Sequence, residues 1–338
     1  MTKNFWAALE RPIIALAPMA GVTDAAWRVI CKNFGADVIY TEFASTEALI
    51  HGNLKTREMI AYEPVEQPVV CQLFGSDPKK FYQAAKIIQE LGFAGIDINF
   101  GCPAYKVVKE GGGVSLMRNP SHCKEIVQAT IEAVDIPVSI KIRSSISLKE
   151  SAQTAREIAA LPENQLTHKK ITAQELVKEL KELPIAAIMI HARSYERPFD
   201  GQPNLNAVKE VRAIYDGVLL ANGGVYAPPD AKNLLAATGA DGVGIARGAL
   251  GKPWLFTQIK NYLSRGDYDE PSWPEIKQVM IEHAQLALNK KGPHGLIELR
   301  KHLAWYVKGR AGGKKLRVEL VQVKTLADIK NILAGVYS

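Results

Sequence analysis

The chain has 338 residues, 47% of them apolar and 23% charged, with a formal net charge of +7, enough for one large folded domain and a smaller one. No run of about 18 apolar residues occurs, and the start, MTKNFWAALERP, lacks an uninterrupted apolar stretch and a cleavage site, so neither a membrane span nor a signal peptide is expected. Four widely spaced cysteines (Cys31, Cys71, Cys102, Cys123), with no CxxC pair and no clustered histidines, offer neither a metal site nor a disulfide framework and suit a reducing cytoplasm.

Short apolar runs alternate with helical patterns up to about residue 262. The expected strands are Ile13–Ala17, Val38–Tyr40, Val69–Leu73, Ile96–Asn99, Val138–Ile142, Ala187–His191, Val218–Ala221 and Gly242–Ile245. Each is a nearly continuous apolar run without polar alternation, as parallel strands buried on both faces require. Between them, Asp77-Pro78 and Asn119-Pro120 each put a capping side chain before a proline at the first helical position. Eight such βα units predict an α/β fold closed as a (β/α)8 TIM barrel, in preference to an open doubly wound sheet. One unit is oversized. Lys141 and His191 stand 50 residues apart, against roughly 30 per unit in a typical barrel, and the excess lies within Ser151–Leu183, where an elaborated connection is expected.

Gly266–Pro274 reads as a polar linker, and everything after it as helix. The expected division is a catalytic barrel over 1–265 and a small all-helical domain over 266–338. Ser272-Trp273-Pro274-Glu275 has capping-box spacing. Further on, Leu296, Leu299, Leu303 and Tyr306 share one helical face, and Arg300, Ala304 and Lys308 another. Residues 290–338 carry 11 Lys and Arg against Glu298, Glu319 and Asp328, a net of +8 that leaves about −1 for residues 1–289. A solvated basic face is one reading of this asymmetry, and a polyanionic partner is the other.

Active sites of such barrels lie at the C-terminal ends of the strands. Here those ends supply Pro18-Met19-Ala20, Glu42, Gln72, Asn99 with Cys102, Lys141, His191, Asn222-Gly223-Gly224 and Ala246-Arg247-Gly248. The ANGG and GIARGA segments follow strands seven and eight, the usual phosphate position of the fold. Their small residues admit close backbone approach, and Arg247 adds a charged fork. Lys141, alone at the end of an apolar strand, could pair with Glu42 or Asp97. It could also be a fixed cation beside an electron-accepting ring, or a Schiff-base lysine. Cys31 and Cys123 fall in helical patterns and Cys71 in a strand, where an inert buried thiol is expected. Cys102 lies instead in the loop NFGCPAYKVVKEGGG. A free thiol has a reference pKa of about 8.5 and is mostly protonated at neutral pH; whether it gives a proton or attacks as a nucleophile stays open at this point.

These residues resemble the tRNA-dihydrouridine synthases, most closely their bacterial B-type branch. The resemblance rests on APMAGVTD (17–24), QLFGSDP (72–78), DINFGCPAYKV (97–107), SIKIR (139–143), IHARS (190–194), ANGGV (221–225), GADGVGIARGALGKPW (239–254) and RKHLAWYVKG (300–309), and so spans nearly the whole chain. It implies a barrel that holds FMN, with NADPH as reductant and uridines of tRNA as substrate. Pro18, Met19 and Ala20 would then line the flavin, Gln72 contact its ring and Lys141 lie at its pyrimidine edge, with His191 nearby. Asn222, Gly223, Gly224, Ala246 and Arg247 would hold the phosphate. Cys102 would be the general acid, protonating C5 of the uracil while a hydride reaches C6. Asn99, Arg300, Lys308 and Arg310 are assigned to the tRNA. The chain departs from the family's more frequent NMGCP, HGR, NGD and GR with NFGCP, HAR, NGG and Ala246-Arg247. No GxGxxG follows a strand, so NADPH is expected to take turns with the RNA at one flavin face. A cytoplasmic monomer without a metal is expected. The competing readings are an FMN barrel acting on a small molecule, similar to dihydroorotate dehydrogenase, a phosphate-sugar lyase using Lys141, and an RNA-binding barrel without catalysis.

Overall fold

The computed structural model describes residues 4–147 and 170–335. Eight parallel strands form the barrel: β1 (Ile13–Leu16), β2 (Val38–Tyr40), β3 (Val69–Phe74), β4 (Gly95–Phe100), β5 (Val138–Arg143), β6 (Ala187–His191), β7 (Val218–Asn222) and β8 (Gly242–Ile245). Each pairs in parallel with its neighbours in sequence, and β8 returns to β1 through Ile13 opposite Gly242, which closes the ring. The strands lie where the apolar runs place them, with ends that differ by a residue or so. The difference matters at Gln72, Asn99 and Lys141, which sit within β3, β4 and β5, so that the strands continue past them.

Successive strand residues face opposite sides, and the two sides build separate cores. Ile13, Ala15, Val38, Tyr40, Val70, Ala187, Met189, Val218 and Leu220 pack inside the barrel, with Trp6 from an N-terminal 3-10 turn plugging its lower end. Ile14, Leu16, Ile39, Ile96, Ile98, Ile140 and Ile188 face the surrounding helices. The interior is thus apolar at the bottom and becomes polar toward the C-terminal ends of the strands. Both Asx-Pro helix starts form as expected: Asp77 accepts from the Lys79 N–H at 2.8 Å, and Asn119 from the His122 N–H at 3.2 Å.

In the oversized connection after β5, residues 148–169 fall outside the described residues. The described remainder is the antiparallel pair Ser145–Ser147 with Lys170–Thr172, followed by the helix Ala173–Leu180.

The last barrel helix, Leu255–Arg265, ends on Gly266, whose φ of 86° is left-handed. Beyond it come the helix Trp273–Tyr306, kinked at Gly292 before Pro293, and two shorter helices, Gly313–Leu320 and Leu326–Ala334. Glu275 accepts from the Ser272 N–H and hydroxyl at 2.7 and 2.6 Å, completing the capping box. These helices share a core with the barrel. Trp27, on the first barrel helix Ala25–Asn33, is fully buried against His283, His302 and Tyr306, with ring centroids 5.4, 5.0 and 6.3 Å away.

Candidate active site

A cavity of about 410 Å³ opens at the C-terminal ends of the barrel strands. The barrel residues singled out from the sequence come together on its wall: Pro18, Met19 and Ala20 after β1, Gln72, Asn99, Cys102, Lys141 and His191 around one side, and Asn222, Gly223, Gly224, Ala246 and Arg247 around the other. Glu42 is not part of this wall; its carboxylate accepts from the Gly21 N–H and shapes the turn after β1.

The floor is a hydrogen-bonded network of inward-facing strand residues. Ser139 Oγ and Gln72 Nε2 donate to the two oxygens of Asp97, each at 2.7 Å. Asn99 Nδ2 donates to Gln72 Oε1 at 2.8 Å, and Asn99 Oδ1 accepts from the Gly101 and Cys102 N–H groups at 3.0 and 2.8 Å. Burial pushes the Asp97 carboxyl up to about 6, against the pull of Gln72, Ser139 and the Lys141 charge, and both its oxygens serve as hydrogen-bond acceptors. Lys141 Nζ lies 3.3 Å from Asn222 Oδ1 and makes no ion pair among the described residues. Its pKa falls to about 8 through burial, reinforced by Arg143 and opposed by Asp97 and Cys102.

Cys102 is half-buried, and burial raises its thiol above the ordinary value, although the Ala104 N–H, Arg143 and Lys141 all favour the thiolate. The sulfur therefore carries its proton at neutral pH. Cys31, Cys71 and Cys123 are fully buried, as inert thiols would be. His191 is held well below its ordinary value, first by burial and then by Lys141, Arg143, Arg193 and Arg247, so its ring is neutral.

At the ends of β7 and β8 the amides of Gly223, Gly224, Arg247 and Gly248 find no acceptor among the described residues. Gly223 has a φ of 111°, and a Cβ there would come within 3.0 Å of Arg193 and His191; at Gly248 it would strike the Val225 carbonyl at 2.0 Å. Only glycine lets the two loops approach this closely.

The sequence reading missed several wall residues, namely Arg143, Arg193, Phe43, Phe199 and Tyr226. Arg143 could have been found, because it stands two residues after Lys141 in a strand and so shares its face. Its guanidinium donates to the Gly101 carbonyl at 2.7 Å and to Ser194 and Pro198, tying the Cys102 loop to the loop after β6. Arg193 binds the Asp200 and Gly201 carbonyls, and Arg247 that of Phe199. Among the described residues these three arginines have carbonyl partners and no carboxylate.

The remaining sequence candidates lie in the C-terminal helices, away from this wall. Arg300 donates to the Val323 carbonyl at 2.9 and 2.6 Å, Arg310 covers the Trp273 ring at 5.2 Å, and Lys308 is exposed. Two of the three cations thus also hold their own domain together. Among the described residues no group of three or more His, Cys, Asp or Glu gathers as metal ligands, and no helix is long and apolar enough to cross a membrane.

A family model described as Dihydrouridine synthase (Dus) matches residues 15–336. The tRNA-dihydrouridine synthase B of Shewanella oneidensis is 32% identical over 317 residues, covering 93% of this chain and 92% of that protein. The tRNA-dihydrouridine synthase B of Proteus vulgaris is 34% identical over 311 residues, covering 91% and 90%. Among solved structures, a complex of 2-naphthoyl-CoA reductase with 2-naphthoyl-CoA superposes on 77% of this chain and 52% of its own with a TM-score of 0.55 at 12% identity, a likeness of fold alone.

Proposed function

The chain belongs to the dihydrouridine synthase family, and on that premise we propose that it reduces uridines of tRNA to dihydrouridine with FMN seated in the barrel mouth and NADPH as reductant. The observation that carries this reading is the Cys102 thiol, held on one side of a cavity whose other side presents amides without acceptors among the described residues. The residues fit the cofactor. The acceptor-free amides of Gly223, Gly224, Arg247 and Gly248, with the Arg247 guanidinium, suit a phosphate. The mostly apolar wall with a few convergent polar groups suits a flat ring system.

When bound, FMN supplies the hydride that adds to C6 of the uracil, and NADPH restores it. The protein's own residues do the rest. Cys102 keeps its proton because it is buried, and delivers it to C5. Asn99 holds the Cys102 loop through two backbone N–H groups, and Arg143 holds it through the Gly101 carbonyl. Lys141 would supply a positive charge to the bound flavin, and His191, kept neutral, would offer it a hydrogen bond without a further charge. A target base must lie flat over this floor, which an unstacked loop nucleotide of folded tRNA does at little cost. The basic C-terminal helices, with Arg300, Lys308 and Arg310, hold the tRNA phosphates, and NADPH alternates with the RNA at the same face. The enzyme acts as a monomer in the cytoplasm.

The test is to purify the protein, record its absorbance and identify the cofactor, and to map dihydrouridine in tRNA from cells lacking the gene. One noncovalent FMN per chain and the loss of dihydrouridine at particular positions are expected. A colourless protein that cannot be reconstituted with flavin, or an unaltered tRNA pattern, overturns the reading.

A further inference from the structure

The network in the cavity floor has a direction, and one buried residue sets it. An ionised carboxylate only accepts hydrogen bonds, whereas a side-chain amide donates at one end and accepts at the other. Asp97 is fully buried, and it offers Gln72 nothing but acceptor oxygen. Gln72 must therefore point Nε2 at Asp97 and Oε1 at Asn99. Asn99 must in turn point Nδ2 at Gln72, at 2.8 Å, and present Oδ1 to the N–H groups of Gly101 and Cys102. Were Gln72 turned over, its Nε2 would meet the Asn99 Nδ2, a second donor, and were Asn99 turned over in response, the loop's two N–H groups would meet a donor as well.

We propose that Asp97 is a positioning residue that orients the Gln72 and Asn99 amides and thereby pins the loop carrying Cys102. Asp97 does not line the cavity, so it acts through the other two. The catalytic consequence rests on the proposed role of Cys102 as proton donor; the structural consequence does not.

The experiment therefore reads the thiol itself, in the full-length protein, by its rate of alkylation with iodoacetamide across pH, followed by peptide mapping. Cys31, Cys71 and Cys123 are fully buried, so their protection reports that each variant is folded. Asp97→Leu removes the acceptor and frees the Gln72 amide to turn. Alkylation of Cys102 should rise about fivefold or more as the loop opens, given the worth of the hydrogen bonds released. Gln72→Met cuts the same relay at its middle and should give a similar rise, which carries the test if Asp97→Leu fails to fold. The double variant should exceed neither single one, because both break one chain. Asp97→Asn should stay close to wild type: its Oδ1 can still accept from Gln72, while its new amide donates to Ser139 Oγ, whose proton has the Ile96 carbonyl 3.3 Å away. Wild-type alkylation in the folded Asp97→Leu and Gln72→Met variants, or effects that multiply in the double variant, would overturn the proposal. If the relay behaves as stated but the enzyme forms no dihydrouridine, the proposed function fails and the positioning role stands.

Discussion

Acid should weaken the joint between the barrel and the C-terminal helices, and replacing His283 should expose the effect as a crossing of two stability curves. His283 is fully buried between Trp27, His302 and Tyr306. Burial pushes its pKa down to about 4, with Asp24 opposing and Lys301 reinforcing. An unfolded imidazole titrates near 6.5, so between about pH 6.5 and 4 the unfolded chain binds a proton that the folded chain refuses. Stability from this group is therefore complete above pH 6.5 and drains away as pH falls. At about pH 4.5 the loss amounts to about 2.5 kcal/mol, from 1.36 kcal/mol per pH unit across the two units below 6.5. His302, also held well below its ordinary value by burial, acts in the same direction. Asp97, raised to about 6, acts in the opposite one, so the wild-type curve alone does not isolate the histidine. His283→Phe does. At about pH 7.5 it should cost about 1 kcal/mol, since the buried Tyr306 hydroxyl loses its 3.2 Å partner. At about pH 4.5 the variant should be the more stable protein by about 1.5 kcal/mol, with the curves crossing near about pH 6. Urea unfolding at a series of pH values, followed by tryptophan fluorescence, measures both curves. If the variant loses stability in parallel with wild type throughout this range, His283 is not the neutral buried group described here.

Cys102→Ala should leave flavin binding and its reduction by NADPH nearly intact, and slow reoxidation by tRNA by roughly 10²–10⁴-fold in rapid-mixing experiments. Because burial raises this thiol and the reaction needs its proton, the wild-type reoxidation rate should stay flat through neutral pH and fall on the alkaline side, first as Lys141 loses its charge at about pH 8 and further as the thiol titrates. Lys141→Met should make the bound flavin's midpoint potential more negative and slow both half-reactions; an unchanged potential in spectroelectrochemistry would refute the fixed-cation role. Neutralising Lys308, Lys314 and Lys315, all exposed, should make the dependence of log K for tRNA on log salt shallower, by about one unit for each phosphate no longer neutralised. Arg300 and Arg310 are poorer choices, because truncating them would also release the Val323 carbonyl and uncover Trp273.

The barrel could be read from local signals because parallel strands wrapped in helices leave continuous apolar runs, and Asp77-Pro78 and Asn119-Pro120 mark helix starts wherever they occur. The glycine-rich loops after β7 and β8 were equally legible as close-packed turns, since positions such as Gly223 and Gly248 require a residue without Cβ. What tertiary structure alone decided is which partner each polar group takes. Lys141 was open to a pairing with Asp97, yet it faces Asn222, because β5 and β7 flank β6 and alternate strands send side chains into the barrel at the same level. Arg300 read as a free cation on a basic stripe, yet it holds a carbonyl 23 residues away. Trp27 meets His283 and His302 only because the chain returns, after eight strands, to the first barrel helix. Periodicity and capping are set within a few residues and so are written in the sequence. Hydrogen-bond polarity in the floor and packing across the joint depend on segments distant in the chain that meet only when strands pair and helices dock.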